Sequence, residues 1–152
     1  MSHHCSIALF FFSMCMALIG CGENNVVSII TEEIPDVGWS EDYNLSFDYN
    51  KPSEGSLYIR IEHTESYGYE NLYVKSTTFK GTDTLNSEIF SVPLMNQRGQ
   101  WLGSASNGLL SVDHLYPPQS LSDGATSIQI QQYSRAFLLN DIEKVSLLVK
   151  KQ

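Results

Sequence analysis

The chain has 152 residues, 42% of them hydrophobic and 11% aromatic, which suits one packed domain and excludes wholesale disorder. Nine Lys and Arg stand against 17 Asp and Glu, a formal charge of −8, the wrong sign for a nucleic-acid footprint. Three cysteines are too few for a dense disulfide framework.

Residues 7–20 form an uncharged run, IALFFFSMCMALIG. As a helix, at about 1.5 Å per residue, it would reach roughly 21 Å, short of a bilayer core of about 30 Å. That is the length of a signal-peptide hydrophobic region, although His3 and His4 stand where Lys or Arg is usual. The run ends Leu18-Ile19-Gly20-Cys21, which resembles a bacterial lipobox, with small Gly20 just before the cut. The expected organisation is a lipoprotein signal peptide over 1–20, a lipidated tether over 21–25 and one β-domain over 26–152. Cys5 and Cys15 would leave with the signal, and Cys21 would carry lipid. Acyl chains on Cys21 make the bilayer the first expected partner. Gly22 after the cysteine favours the outer membrane, by analogy with sorting in other Gram-negative bacteria.

Beyond the tether, apolar and polar residues alternate in short bursts, the pattern of half-buried strands. Residues 26–30 are a β-branched run. Leu45, Phe47 and Tyr49 alternate with polar residues before a turn at 51–55. Leu57, Ile59 and Ile61 alternate with Tyr58, Arg60 and Glu62. After a turn at 67–71, Leu72 and Val74 open a strand that reaches Phe79, and Gly81 closes its hairpin. Residues 84–94 form an extended stretch that Pro93 marks as an edge or its end. Residues 108–115, 126–131 and 145–150 complete the set, with a loop over 117–124. Seven or eight strands predict an all-β fold, an antiparallel β-sandwich, either Ig-like or jelly-roll.

Chemistry-bearing motifs are sparse, so the sequence points to no enzyme, no metal and no cofactor. His63 and His114 are the histidines left after the signal, 51 positions apart, and Glu62-His63-Thr64-Glu65 lacks the second His of a zinc helix. No GxSxG elbow occurs. The carboxylate pairs Glu32-Glu33, Glu41-Asp42 and Glu62/Glu65 fit solvated faces and turn caps. Tyr58, Tyr67, Tyr69 and Tyr73 surround one expected hairpin, either as cross-strand packing or as a surface for glycan or protein. Gly99 and Gly103 flank Trp101-Leu102; the pair either plugs one end of the sandwich or docks a partner. Arg135 is the one cation between Arg98 and Lys144. It is expected to pair with an inward carboxylate, Asp83 or Glu62, or else to mark a ligand site. Asp83-Thr84-Leu85 resembles the Asp-Ser/Thr-aliphatic O-glycosylation site of the Bacteroidetes envelope, which makes Thr84 a candidate acceptor.

The ordered motifs of the chain resemble the GldH lipoproteins, a gliding motility family of the Bacteroidetes. Trp39 follows the tether. Tyr67-Gly68-Tyr69-Glu70-Asn71-Leu72-Tyr73 matches a Tyr-rich turn leading into a strand. Asp83-Thr84-Leu85, Gly99-Gln100-Trp101-Leu102-Gly103 and Gln131-Gln132-Tyr133-Ser134-Arg135 follow in family order. Gln131 stands where the family favours Glu, and Tyr133-Ser134 where it favours Ala-Met. The resemblance implies a non-catalytic lipoprotein at the periplasmic side of the outer membrane. Its implied partners are other gliding and secretion envelope proteins, and the loop, ring and cation readings above make Trp101, Leu102, Arg135, Tyr67 and Tyr69 the candidate contact residues.

Overall fold

The computed structural model describes residues 25–151, so the expected signal segment and Cys21 lie outside the described residues. In chain order the strands are β1 (Val26–Glu33), β2 (Trp39–Ser40), β3 (Asn44–Asp48), β4 (Ser56–His63), β5 (Asn71–Lys80) and β6 (Asp83–Pro93). Then come β7 (Ser104–Ser106), β8 (Leu109–Leu115), a 3-10 turn over Pro118–Ser120, β9 (Ser127–Gln132), β10 (Leu138–Leu139) and β11 (Ile142–Lys150). Eleven described strands replace the expected seven or eight. The three extra ones, β2, β7 and β10, have two or three residues each, too few for an alternating pattern to register.

All pairings are antiparallel. A five-stranded sheet runs β1-β11-β4-β8-β7, a four-stranded sheet runs β3-β9-β5-β6, and β2 pairs with β10 separately. The two large sheets bury their apolar faces against each other. Leu57, Ile59 and Ile61 of β4 meet the same core as Leu45 and Phe47 of β3 and Ile128 and Ile130 of β9. Strict alternation along β4 and β9 follows from the period of two, which sends successive side chains to opposite faces.

β7 and β8 are joined by Asn107 (φ 52°) and Gly108 (φ 80°), with Ser106 opposite Leu109. Two successive positive φ values define the two-residue hairpin turn whose twist matches antiparallel strands, and Asn-Gly is its preferred sequence. That dipeptide is the signal by which β7 could have been read from the sequence.

The outer face of the five-stranded sheet is held by ions. Arg60 of β4 faces Asp113 of β8 in register and donates two hydrogen bonds, Nε to Oδ1 at 2.6 Å and Nη2 to Oδ2 at 2.9 Å. Lys150 Nζ reaches Oδ2 of the same carboxylate at 2.5 Å and lies 5.1 Å from the Tyr58 ring centroid. On the same face Leu148, opposite Tyr58, is fully buried, and Ser146, opposite Arg60, is buried with its hydroxyl 2.8 Å from that of Thr31.

Candidate functional site

Strand direction gives the sandwich two distinct ends. The chain enters β1 at Val26, opposite Lys150, which in turn faces Ser56. At the other end β4 finishes at His63, β5 starts at Asn71, β9 finishes at Gln132 and β11 starts at Ile142. β1 alone, eight residues at about 3.3 Å each, separates the two by roughly 26 Å.

The far end collects the rings that the core does not cover. Tyr43, Tyr69, Tyr73, Tyr133 and Phe137 are the exposed large aromatics among the described residues, and all five lie there, beside exposed Leu138 and Val37. Carboxylates crowd the same turns: Asp36, Glu41, Asp42, Glu65 and Glu70 are exposed and carry no ion pair among the described residues. Soluble surfaces rarely gather apolar rings into one place without a contact to serve.

Two polypeptide segments form a cleft at this end, and buried groups hold both. The first is the turn at 40–43. Trp39 is fully buried, and its Nε1–H donates to the Tyr43 carbonyl at 2.9 Å. Glu41 N–H then donates to the Phe137 carbonyl at 3.0 Å, which fastens this turn to the second segment, 133–137. Gln132 organises that one. Its buried amide accepts from Ser134 N–H at 2.8 Å and donates to the Ala136 carbonyl at 3.0 Å. Between them lies an open cleft of about 320 Å³, lined by Glu41, Asp42, Gln131, Gln132, Tyr133 and Ser134.

A row of rings runs beside the cleft. Tyr69 stands edge-on to Tyr67 at 5.6 Å, Tyr67 lies 5.7 Å from His63, and His63 packs at 4.8 Å against Trp101. Tyr67 is buried, and burial raises its phenol pKa well above the ordinary value despite the nearby Ser134 hydroxyl. His63 is fully buried. Its Nδ1 lies 2.8 Å from the Thr64 carbonyl, which can only accept, so Nδ1 carries the proton. Nε2 is then a buried acceptor with no hydrogen-bond partner among the described residues. Burial lowers the His63 pKa, an effect only partly offset by the Thr64 bond, and burial lowers that of His114 too.

Unfolding exposes both imidazoles and restores their affinity for protons. Below about pH 6.5 the unfolded chain therefore binds more protons than the folded one, and stability falls as pH drops. The expected slope is up to about 1.4 kcal/mol per pH unit for each histidine in that window. Urea unfolding at pH 7.5, 6.5 and 5.5 checks it. His63→Phe should lower the slope to the share of His114, and an unchanged slope would assign it elsewhere.

The structure brings most of the residues singled out from the sequence to this one end. Trp101 is half-buried against His63 and forms a bridge with Met95, so it closes the end of the core, and Leu102 packs beside it. Gly103 lets this loop reach β8: with φ at 81°, a Cβ there would sit 2.0 Å from the Ser111 carbonyl oxygen. The four tyrosines do not form one surface. Tyr67 is core and Tyr69 is exposed. Tyr58 and Tyr73 lie on the outward faces of opposite sheets. Thr84 is exposed at the start of edge strand β6.

Arg135 corrects the sequence reading. It is exposed and pairs with neither Asp83 nor Glu62, because it rides on the outward loop that Gln132 ties down. The cations that are half-buried and paired are Arg60 and Lys150, which share Asp113. Cross-strand register, which placed Arg60 opposite Asp113, has no local trace in the sequence. Arg135→Ala is accordingly expected to shift unfolding free energy by no more than about 0.5 kcal/mol, measured by urea denaturation. A loss of several kcal/mol would restore the buried-pair reading.

Among the described residues, no group of three His, Cys, Asp or Glu could hold a metal ion, and no helix is long and apolar enough to cross a membrane. A family model described as GldH lipoprotein matches residues 27–149. No curated protein matches the chain. Among solved structures, the crystal structure of infectious bursal disease virus VP2 subviral particle is similar at 14% identity and a TM-score of 0.27. The match covers 80% of this chain and 30% of that one.

Proposed function

The chain belongs to the GldH lipoprotein family, and from that premise we propose that it is a non-catalytic component of the gliding motility and secretion apparatus. It is tethered through acylated Cys21 to the periplasmic side of the outer membrane and holds partner proteins by the end of the sandwich remote from the tether. One observation carries this reading: all five exposed large aromatics among the described residues gather opposite the point where the chain enters the fold. Aromatic rings are the side chains most enriched at protein contacts, because they bury much area at little entropic cost. A lipid at Cys21 would hold the entry end near the bilayer and leave the aromatic end reaching away from it.

The test is a pull-down from solubilised envelopes with the intact lipidated chain. The double variant Tyr69→Ala/Phe137→Ala should lose the captured proteins. Leu115→Ala, an exposed position on β8 near the entry end, should keep them. Equal capture by both variants would remove the far end from the argument. Intact mass of the same preparation checks the anchor: the expected species starts at Cys21 with acyl chains attached. Retention of Met1, or an unmodified Cys21, would reject it.

A further inference from the structure

We infer that the cleft between the 40–43 turn and the 133–137 segment binds an uncharged saccharide chain. This goes beyond the protein-contact reading above and does not depend on it. Three observations converge. First, the Glu41 and Asp42 carboxylates are exposed at the cleft and have no cationic partner among the described residues, so their oxygens are free to accept. A sugar hydroxyl donating to a carboxylate makes a short, charge-assisted hydrogen bond, stronger than a neutral one. Second, the Tyr133 ring is 55% exposed on the same cleft, a flat apolar face against which the C–H face of a sugar ring can lie. Third, the walls are fixed before any ligand arrives. Trp39, Gln132 and the Glu41–Phe137 backbone bond set their positions, and binding would spend little on ordering them.

The surroundings decide the class of ligand. From the cleft, the outer face of the four-stranded sheet continues mostly through amides and hydroxyls, with Ile89 of β6 exposed opposite Lys75. Asn44 and Ser46 of β3 lie beside Gln131 and Gln129 of β9, followed by Thr77 of β5 and Ser87 of β6. Lys75 is the cation on this stretch, and Asp48 comes only at the far end of β3. A basic peptide leaving the cleft would meet Lys75 and find no carboxylate before Asp48. An acidic saccharide would be repelled at the cleft by Glu41 and Asp42. A chain of uncharged sugar rings meets acceptors and a stacking face at the cleft and mostly neutral hydrogen-bonding groups beyond it.

The test uses the full chain, 15N-labelled in detergent micelles, titrated separately with cellohexaose, mannohexaose, hexagalacturonate and hexalysine. At least one uncharged hexamer is expected to shift the amides of Glu41, Asp42 and residues 131–135 in a saturable way. Tyr133→Ala should weaken that binding by at least about tenfold. Tyr133 is exposed, so an unchanged thermal midpoint is expected to certify the fold of the variant. The proposal is overturned if neither uncharged hexamer shifts these residues by about 10 mM, the weak limit of useful affinity. It is equally overturned if hexalysine or hexagalacturonate binds there more tightly, or if Tyr133→Ala binds as well as the parent. None of these outcomes touches the pull-down result, so the two readings fail separately.

Discussion

Trp39→Ala is expected to lower unfolding free energy by about 3–5 kcal/mol, the cost of emptying a fully buried aromatic site. Domains of this kind have about 5–15 kcal/mol in total, so the variant would lie near or past the edge of folding. Trp39 fills the core at the point where β2 meets β10, opposite Leu139, which is also buried. It also holds the 40–43 turn through its Nε1–H bond to Tyr43. Trp39→Phe separates the two roles. The ring restores most of the packing, and the turn loses its tie. Stability should then recover to within about 1–2 kcal/mol of the parent, because one hydrogen bond is worth about that much. Urea denaturation of the chain from Gly22 onward measures both variants. If Trp39→Phe falls as far as Trp39→Ala, packing is not what Trp39 contributes.

Asp113→Ala is expected to cost about 2–4 kcal/mol, because it removes the carboxylate that Arg60 and Lys150 share and breaks both ion pairs in a half-buried layer. Asp113→Asn keeps the shape and one acceptor, and should cost less. Burial pushes the Asp113 carboxyl up, and hydrogen bonds and charges from Arg60 and Lys150 more than reverse this, so its pKa stays below the usual carboxylate value. A lowered acid pKa means that the stabilisation is complete above about pH 3.9 and disappears as pH falls through the folded value. The histidine effect acts about two pH units higher. A parent pH–stability profile should therefore decline in two stages. Asp113→Asn should shrink the acid stage and leave the one near pH 6. A single undivided decline would contradict the assignment.

How far the sequence could be read depended on the range of the interaction concerned. β3, β4, β5, β9 and β11 were legible because alternation is a local property, and Leu57, Ile59 and Ile61 announce it without help from the rest of the chain. β2 and β10 were not legible, since two-residue strands exist only by virtue of each other. The Tyr67-to-Tyr73 stretch shows the same limit at the site. Its richness in rings is plain in the sequence. Which ring turns inward depends on how the loop before β5 meets His63 and Ser134. Arg135 was misread because isolation along the chain is not isolation in space. The cleft brings Glu41 and Asp42 to Gln131, some ninety positions later, through pairing between β3 and β9 that no short motif records.

β6 is an eleven-residue strand on the rim of the four-stranded sheet, with Leu85 and Ile89 exposed along it. Long rims of this type are templates on which a second chain can add a strand, and proteins held at high density on a surface meet their own copies often. Three features break the template. Pro93 has no N–H to offer at one end, and the pairing slips between Thr78 and Phe79 near the other. In the middle, the 3-10 turn leans across, with Ser120 bonded to Glu88 and the Gln119 carbonyl accepting from Asn86. Crowding would therefore find no uninterrupted row of backbone groups on β6. Copies packed side by side would keep their separate sheets instead of merging into a common one.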